Sequence, residues 1–296
     1  MIRPASFGFN EQTAETNAFQ QKNTDLQQVQ EKAGQEFNNF AELLKSKGVN
    51  VIVIDDTADP QKPDAIFPNN WVSFHDNGDV ILYPMQAENR RRERREDVIR
   101  KLEDRFNVNH IIDLGRFELE NKFLEGTGSM VLDRENNIAY ACLSPRTDVE
   151  VLNTFCEYLH YTPVTFTATD ASQQAIYHTN VMMCVGSKFA VICLDSILNA
   201  NEKEAVTTSL QNTGKEIISI TLEQMNRFAG NMLEVQNTEG KSMLVMSESA
   251  HQSLTQDQIT TLEKFTEIVS ADLTTVETIG GGSARCMLAE VHLPIA

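Results

Sequence analysis

A β-hairpin pattern recurs four times along this chain, and the recurrence restricts the fold more than any other feature of the sequence. Each copy consists of two short apolar runs separated by a tight turn. In the first copy, WVSFH and VILYPM flank Asn77-Gly78, a dipeptide typical of two-residue hairpin turns. The copies begin near residues 71, 129, 180 and 231, at a spacing of about 50–58 residues that is typical of repeat architectures. The sequence therefore predicts one supersecondary unit that is used several times.

Each predicted hairpin is followed by a helix-like segment and then by an isolated β-rich run. The helices are predicted, in chain order, at 89–103, 148–160, 198–212 and 255–270. Asp148 and Thr255 stand at two expected N-caps, because their side-chain oxygens can accept from the first free backbone N–H groups of a helix. The β-rich runs are HIIDL, PVTFTA, EIISI and TVETI. Hairpin, helix and strand thus recur as a ββαβ-type unit.

The two ends of the chain supply the pieces of a fifth copy. RCMLAEVHL at 285–293 is predicted as one strand with MIRPASF as its partner, and a helix over 20–47 leads to VIVID at 51–55. Pairing of the last strand with the first would close a ring and leave no exposed sheet edges. We therefore predict an α/β fold, a five-bladed α/β propeller with pseudo-five-fold symmetry, as a single domain over 1–296. An open α/β sheet is the alternative.

The charge and the cysteine content restrict the partners and the compartment. The chain carries 42 acidic and 25 basic side chains, a formal net charge of −17, which argues against nucleic acid and anionic membranes as partners. No run of about 18 apolar residues predicts a membrane span, and the first ten residues lack the apolar core of a signal peptide. The five cysteines form no CxxC pair. An odd number of thiols in a chain of this length predicts reduced cysteines and a cytoplasmic protein.

In a ring of this kind, the segments that enter successive hairpins meet near the axis. Three of these segments carry groups for nucleophilic chemistry, namely Glu125, His178 and Cys286. A cysteine thiolate is a strong nucleophile, a histidine beside it can act as general base or acid, and a glutamate can orient that histidine. Glycines 280–282 permit backbone torsions that deliver the cysteine without side chains in the way. The other residues that these segments bring to the predicted site are Asn70, Trp71, His75, Asn180 and Asn231.

Each of these signals has a more ordinary interpretation when it is taken alone. An isolated histidine is usually a satisfied polar residue, and a glycine run before a strand is usually a turn. Zinc binding by the same three side chains is a weaker interpretation, because no pair has the spacing of a zinc ligand set. GGGSAR also lacks the GK[ST] ending of a phosphate loop. We interpret the shared position of the three residues as a catalytic site without a metal, because a nucleophile and its base must converge.

The same segments resemble motifs of the arginine deiminase, amidinotransferase and dimethylargininase superfamily of guanidino-group-modifying enzymes, the penteins. GGGSARCM is similar to the cysteine motif, EGTGS to the glutamate-glycine motif, YHTNV to the histidine segment and FPNNWVSFH to the first-blade strand. The resemblance covers nearly the whole chain in order. It implies a five-bladed propeller with Cys286, His178 and Glu125 as catalytic residues. SPRT at 144–147 is similar to the segment whose arginine holds a substrate carboxylate, which implies that role for Arg146.

The resemblance also implies a reaction without a cofactor. Cys286 would attack the guanidino or ureido group of a small arginine-like or citrulline-like compound, and water would hydrolyse the covalent intermediate. The overall pattern is most similar to the citrulline-utilisation hydrolases related to arginine deiminase. Where arginine deiminases have two aspartates, this chain has His75 and Asn180, although a one-residue shift would use Asp76 instead of His75. A carboxamide both donates and accepts, which favours a neutral ureido group. An amidinotransferase is the alternative function, and the sequence is compatible with a homo-oligomer.

Overall fold

The computed structural model of the protein describes residues 1–22 and 25–296. Within these residues the strands form five small sheets, four of three strands and one of two. In each three-stranded sheet the first two strands are an antiparallel hairpin, and the third joins the second in parallel. The strands are β1 (Ile2–Arg3) and β2 (Ile54–Asp55) in the first sheet, β3 (Val72–Phe74), β4 (Asp79–Leu82) and β5 (His110–Asp113) in the second, β6 (Val131–Asp133), β7 (Ile138–Cys142) and β8 (Thr162–Phe166) in the third, β9 (Met183–Val185), β10 (Phe189–Ile192) and β11 (Glu216–Ser219) in the fourth, and β12 (Leu233–Gln236), β13 (Ser242–Ser247) and β14 (Glu267–Ala271) in the fifth.

The helices range from single turns to one helix of 21 residues. Across the described part of the chain, none of them combines the length and the apolar character that a membrane span needs. The α-helices are α1 (Glu11–Ala14), α2 (Leu26–Ser46), α3 (Glu96–Glu103), α4 (Gly126–Ser129), α5 (Val149–Leu159), α6 (Thr179–Met182), α7 (Ala200–Asn212), α8 (Leu222–Asn226), α9 (Glu248–Ser253) and α10 (Gln256–Leu262). The 3₁₀ turns cover Pro68–Asn70, Glu88–Glu93, Gly115–Glu120, Leu194–Ser196 and Ala284–Met287, and a π-helical turn covers Val276–Gly280.

The third sheet illustrates why the repeated unit has this order. Tyr140 on the middle strand pairs with Val131 of the hairpin and with Val164 of the parallel strand. A parallel pair needs a long crossover connection, and α5 supplies it between β7 and β8. The helix begins where predicted, because the Asp148 carboxylate accepts from two backbone N–H groups of its first turn. Its apolar face is buried against the sheet and includes Val151, Leu152, Phe155 and Cys156.

Single helical turns precede the first strand of several hairpins, and these turns position the site. Pro68–Asn70 precedes β3, α4 precedes β6 and α6 precedes β9. Hydrogen bonds tie the turns together, since the Thr127 hydroxyl donates to the Asn69 carbonyl at 3.4 Å and the Thr179 hydroxyl donates to the Ser129 carbonyl at 2.5 Å. The structure thus gathers the segments that the sequence analysis placed next to one another.

The TVETI run is not the strand that its alternating pattern predicts. Its residues enter the π-helical turn Val276–Gly280, and the third strand of the last unit is Glu267–Ala271 instead. The predicted helix over 255–270 accordingly ends at Leu262. The reason is a distant carboxylate, because Glu36 of α2 accepts from the backbone N–H groups of Thr275 and Val276 and so stabilises a helical start there.

The predicted pairing of the two chain ends is also wrong. Ile2 pairs with Ile54 in a parallel two-stranded sheet, and the amino group of Met1 donates to the Ile52 carbonyl at 2.9 Å. RCMLAEVHL begins instead with the 3₁₀ turn Ala284–Met287, in which the Cys286 N–H donates to the Ser283 carbonyl. Later in the same segment, Val291 forms a parallel bridge with Phe74 of the second sheet rather than with the N-terminal strand.

The charged stretch after the first hairpin forms two helices rather than one. The predicted helix over 89–103 divides into the 3₁₀ turn Glu88–Glu93 and α3, with Arg94 and Arg95 in extended conformations between them. The break turns Arg90 inward, where its guanidinium makes a two-bond ion pair with Glu93 at 2.8 Å. One arginine of a run whose charge pattern is typical of a solvated face is therefore buried.

Candidate active site

The Cys286 side chain is buried and is held by two carboxamides. Its sulfur accepts from Asn231 Nδ2 at 3.3 Å and from Asn180 Nδ2 at 3.5 Å. Asn231 also accepts from the Arg285 backbone N–H at 3.1 Å and donates to the Asn180 carbonyl at 2.9 Å. One side chain therefore connects the cysteine turn, the sulfur and the neighbouring unit. N–H donors directed at sulfur stabilise the thiolate form, because hydrogen bonds to a charged acceptor are stronger than those to a neutral one.

His178 and Glu125 form a buried pair, and His178 lines the same small cavity as Cys286. His178 Nε2 lies 2.8 Å from Glu125 Oε2. Because an ionised carboxylate can only accept, Nε2 carries the proton and Nδ1 is left as the basic nitrogen. Burial lowers the pKa of His178 to about 4, although the hydrogen bond and the charge of Glu125 act in the opposite direction. The imidazole is therefore neutral at neutral pH and can take up a proton during a reaction.

Glu125 stays ionised although it is completely buried. Burial alone would raise its pKa, but Arg146, His178 and Arg90 together hold that pKa well below its usual range. Arg146 Nη1 lies 3.5 Å from Oε2, and the backbone N–H of Gln86 donates to Oε1 at 3.0 Å. A carboxylate fixed from several sides can orient the histidine without moving itself.

Several polar atoms at the site have no hydrogen-bond partner within the protein. They are Asp64 Oδ1, Asn70 Nδ2 and Asn180 Oδ1, all on buried side chains. Arg90 fixes the orientation of the Asn70 amide, because its Nη1 donates to Asn70 Oδ1 at 2.9 Å. Unpartnered buried polar atoms are rare because each costs about 1–3 kcal/mol. Unpartnered polar atoms beside a cavity are typical of groups that bind a polar ligand.

Residues 10–21 cover the cavity. Asn17 Nδ2 donates to the Gly281 carbonyl at 3.2 Å, and Gln20 Nε2 donates to the Gly280 carbonyl at 3.0 Å. Arg146 holds the same segment through the Thr13 carbonyl at 2.8 Å. The space left beneath the cover is about 10 Å³, which is about the room that one water molecule needs. This space is smaller than a substrate of amino-acid size.

The structure brings seven of the nine predicted site residues together. They are Cys286, His178, Glu125, Arg146, Asn70, Asn180 and Asn231. The other two lie elsewhere. Trp71 is packed in an apolar cluster with Ile2 and Val72 and is not among the residues that line the cavity. His75 is turned toward Ser73, whose hydroxyl lies 2.7 Å from His75 Nε2.

Six lining residues other than the glycines were not predicted as site residues, namely Thr13, Asn17, Asp64, Phe67, Arg90 and Tyr177. Asp64 precedes the first hairpin, Arg90 follows it, and Asn17 belongs to the covering segment. Tyr177 stands next to His178, with its ring 4.7 Å from the imidazole and its hydroxyl 2.6 Å from the Gly281 carbonyl. Adjacency to the histidine was an available signal for Tyr177 alone. Over the described ranges, no three His, Cys, Asp or Glu side chains converge in the way that metal ligands do.

Comparison with known proteins identifies the class to which this fold and site belong. The family model for N,N dimethylarginine dimethylhydrolase of the eukaryotic type matches residues 3–293. Among solved structures, the N-terminal domain of ArgZ, an arginine dihydrolase of cyanobacteria, is similar with a TM-score of 0.78 at 17% identity, over 100% of this chain and 98% of that chain. Unliganded AgrE gives a TM-score of 0.76 at 18% identity, over 100% of this chain and 39% of that chain. A dimethylarginine dimethylaminohydrolase gives a TM-score of 0.66 at 15% identity, over 97% of this chain and 96% of that chain. No curated protein sequence matches the chain.

Fold and family together define a guanidino-group-modifying enzyme of the pentein superfamily, which confirms the predicted superfamily. The chain belongs to the N,N dimethylarginine dimethylhydrolase family, and it is a hydrolase of non-peptide carbon–nitrogen bonds. The nearer similarity to citrulline-utilisation hydrolases stays a prediction.

Substituting Gly128 by alanine is expected to damage the site more than the fold. An added Cβ would lie 2.4 Å from Asn70 Nδ2 and 2.8 Å from His178 Nδ1, so the imidazole must shift. A displacement of this size lowers kcat by about 100-fold, and overpacking lowers the free energy of unfolding by about 1–3 kcal/mol. Gly34→Ala in α2 is the control, because its Cβ meets nothing within 4 Å and alanine favours a helix by about 0.5–1 kcal/mol. Gly34→Ala should raise the free energy of unfolding in urea and leave turnover unchanged, whereas Gly128→Ala should lower both. Wild-type turnover in Gly128→Ala would contradict the expected crowding.

Proposed function

We propose that the protein hydrolyses the guanidino or ureido group of a small arginine-like or citrulline-like amino acid through a covalent Cys286 intermediate. One observation carries the proposal. Cys286, whose sulfur is held by Asn180 and Asn231, lines the same small cavity as His178, and His178 is paired with Glu125. A nucleophile, a base and an orienting carboxylate in one small polar cavity suit hydrolysis better than simple binding.

The reaction would run in two halves. His178 Nδ1 takes the proton of the Cys286 thiol, the sulfur attacks the central carbon of the substrate, and the imidazolium returns the proton to the leaving nitrogen, which departs as ammonia or an amine. In the second half the neutral imidazole takes a proton from water, whose oxygen attacks the carbon. The carbon–sulfur bond then breaks, and the thiol is restored. Glu125 stabilises the imidazolium in both halves, as its 2.8 Å contact with Nε2 allows.

The charged lining suits the amino-acid end of such a substrate. Asp64 Oδ1 is a free acceptor for an α-ammonium group. Arg90 and Arg146 place two guanidinium groups beside the cavity, and a planar guanidinium binds a carboxylate through two parallel hydrogen bonds. Arg146 would reach the substrate carboxylate once the covering segment releases it. ArgZ, an arginine dihydrolase, and the dimethylarginine hydrolases are consistent with this substrate class.

The carboxamides near the sulfur favour a neutral ureido group. Asn70 Nδ2 is an unpartnered donor, and Asn180 Oδ1 is an unpartnered acceptor. A ureido group has a carbonyl oxygen for the first and N–H groups for the second. A guanidinium has only donors, so it would leave Asn70 Nδ2 without a partner.

We further propose that the five sheets are the blades of one closed ring, so that residues 1–296 form a single catalytic domain. Four sheets share the same strand order and the same helical crossover. The ArgZ domain matches over the whole of this chain. A ring explains why segments from different units meet at one cavity.

The function is tested with a panel of arginine, citrulline and Nω-methylated arginines. We expect release of ammonia or methylamine from at least one compound, with the ureido substrate preferred, and a mass increase on the Cys286 peptide after acid quenching. Release that continues without any adduct on Cys286 would contradict the covalent mechanism. Faster turnover of arginine than of citrulline would contradict the ureido preference. Products that form only when a second amine is added would support the amidinotransferase alternative.

A further inference from the structure

Glu277 is a buried carboxyl group that the proposed reaction does not use. It stands nine residues before Cys286, in the π-helical turn that leads into the glycines. Its side chain is 6% exposed, and it forms no ion pair with any described residue. Burying a carboxyl group without a cation costs folding free energy, which its hydrogen bonds must offset.

Glu277 accepts two hydrogen bonds from the turn over 280–286 that carries Cys286. The Ser283 hydroxyl donates to Glu277 Oε1 at 2.5 Å, and the Gly281 backbone N–H donates to the Glu277 carbonyl at 3.0 Å. Gly281 itself is left-handed, with φ of 65°. Ser283 in turn accepts from the Cys286 N–H through its carbonyl at 2.9 Å. A chain of hydrogen bonds therefore runs from the carboxylate to the backbone of the nucleophile.

The turn between these contacts is tight. A Cβ at Gly282 would lie 2.9 Å from the Phe67 ring and 3.3 Å from the Cys286 Cβ. Little space is left for the turn to relax if one of its hydrogen bonds weakens. A small change at Ser283 is therefore transmitted to the position of the sulfur.

We propose that Glu277 is a positioning residue, which acts through Ser283 to hold Cys286 in its reactive place only while the carboxyl group is ionised. The proposal rests on Cys286 being the nucleophile. An ionised acceptor makes a hydrogen bond about twice as strong as a neutral one, so protonation of Glu277 loosens the turn.

The surroundings place this change near neutral pH. Burial raises the pKa of Glu277 to about 7, hydrogen bonds from Ser247 and Ser283 act against the rise, and the charges of Glu36 and Asp272 add to it. Ionisation of Glu277 is expected to raise activity but to lower stability. Because the folded pKa lies above the ordinary value, the ionised group costs folding free energy as pH rises from about 4.5 to about 7, and the cost is complete above that.

The test compares the wild type with Glu277→Gln between pH 5.5 and 8.5. Glutamine keeps the shape and a neutral acceptor, so the ratio of the two kcat values should be near one at pH 5.5 and rise to about 5 at pH 8.5, with KM unchanged. The midpoint of the rise reports the titration of Glu277, because effects of His178 and Cys286 cancel in the ratio. Glu277→Gln should also have the higher Tm at pH 8.5.

Two further variants complete the design. Asp272→Asn removes a neighbouring charge without touching Ser283, and it should shift the midpoint to lower pH without abolishing it. Ser283→Ala should lower kcat at both ends of the pH range. The ratio of wild-type kcat to Ser283→Ala kcat should therefore not follow the titration of Glu277. A ratio that stays constant across the pH range would overturn the proposal, whatever the size of the ratio.

Alkylation by iodoacetamide separates this proposal from the proposed function. The rate of labelling at the Cys286 peptide needs no substrate and should show the same pH-dependent ratio. The other thiols are poor competitors, since burial raises the pKa of Cys142, Cys156 and Cys184 to about 12. If no panel compound is turned over but the alkylation ratio still changes with pH, the result counts against the proposed hydrolase alone. If a panel compound is turned over but the alkylation ratio is constant across the pH range, the result counts against the role of Glu277 alone.

Discussion

Replacing Cys286 by alanine is expected to lower turnover of the best panel substrate by at least about 10⁴-fold, or about 5.4 kcal/mol of transition-state stabilisation. The reason is that the neighbouring side chains can bind and orient a substrate but cannot form the covalent intermediate. Asn180, Asn231 and His178 keep their other contacts when the sulfur is removed. Substrate affinity measured by calorimetry should therefore stay within about threefold of the wild type.

Cys286→Ser is the matched variant for this prediction. Its hydroxyl keeps the contacts with both carboxamides but is a far weaker nucleophile at neutral pH. We expect it to be nearly as inactive as the alanine variant while it binds substrate with wild-type affinity. Turnover by Cys286→Ser within 10-fold of the wild type would show that the sulfur is not the attacking atom.

The repeated unit could be predicted from the sequence because its local signals agree with one another. The Asn77-Gly78 turn lies between strands that do pair, and Asp148 and Thr255 cap the helices as expected. Local agreement of propensity, turn chemistry and capping is what makes a segment predictable. The strand prediction for TVETI was wrong because the conformation of this run depends on Glu36, about 240 residues earlier in the chain, and not on local signals.

The candidate catalytic residues were predictable for a related reason. Glu125, His178 and Cys286 occupy corresponding places in three units, so a repeat brings them together without any knowledge of their contacts. Asp64 occupies no such place, and no motif marked it. The cover over the site was equally hidden, since the Asn17–Gly281 hydrogen bond joins residues that are 264 positions apart.

Trp71 and His75 differ from the other predicted site residues because their side chains pack within the second sheet and its neighbours. Trp71 is 1% exposed among apolar neighbours, and His75 is bonded to Ser73 beside Phe155. Position near a strand that leads to the site does not decide which way a side chain points. Asn70, Asn180 and Cys286, which do belong to the site, lie on helical turns that precede or follow the strands.

Glu125→Gln is expected to lower kcat by about 10²–10⁴-fold while KM changes little, because the carboxylate acts on a histidine that must become charged in the transition state. The loss has two causes. An amide no longer compensates the imidazolium, whose pKa is already lowered to about 4 by burial. The amide can also donate to Nε2, and this would fix the proton on Nδ1, the nitrogen that should act as base.

Glu118→Gln is the matched control for this substitution. Glu118 also accepts from a backbone N–H, that of Met85 at 2.9 Å, and it also pairs with arginines, but it faces Arg94 and Arg91 rather than the cavity. We expect Glu118→Gln to lower the free energy of unfolding without changing kcat. Equal losses of kcat in both variants would mean that Glu125 serves the fold and not the histidine. A loss of kcat confined to Glu125→Gln, with the acidic limb of the kcat profile shifted, would assign the loss to the charge of His178, because Glu125 contacts that ring and Glu118 does not.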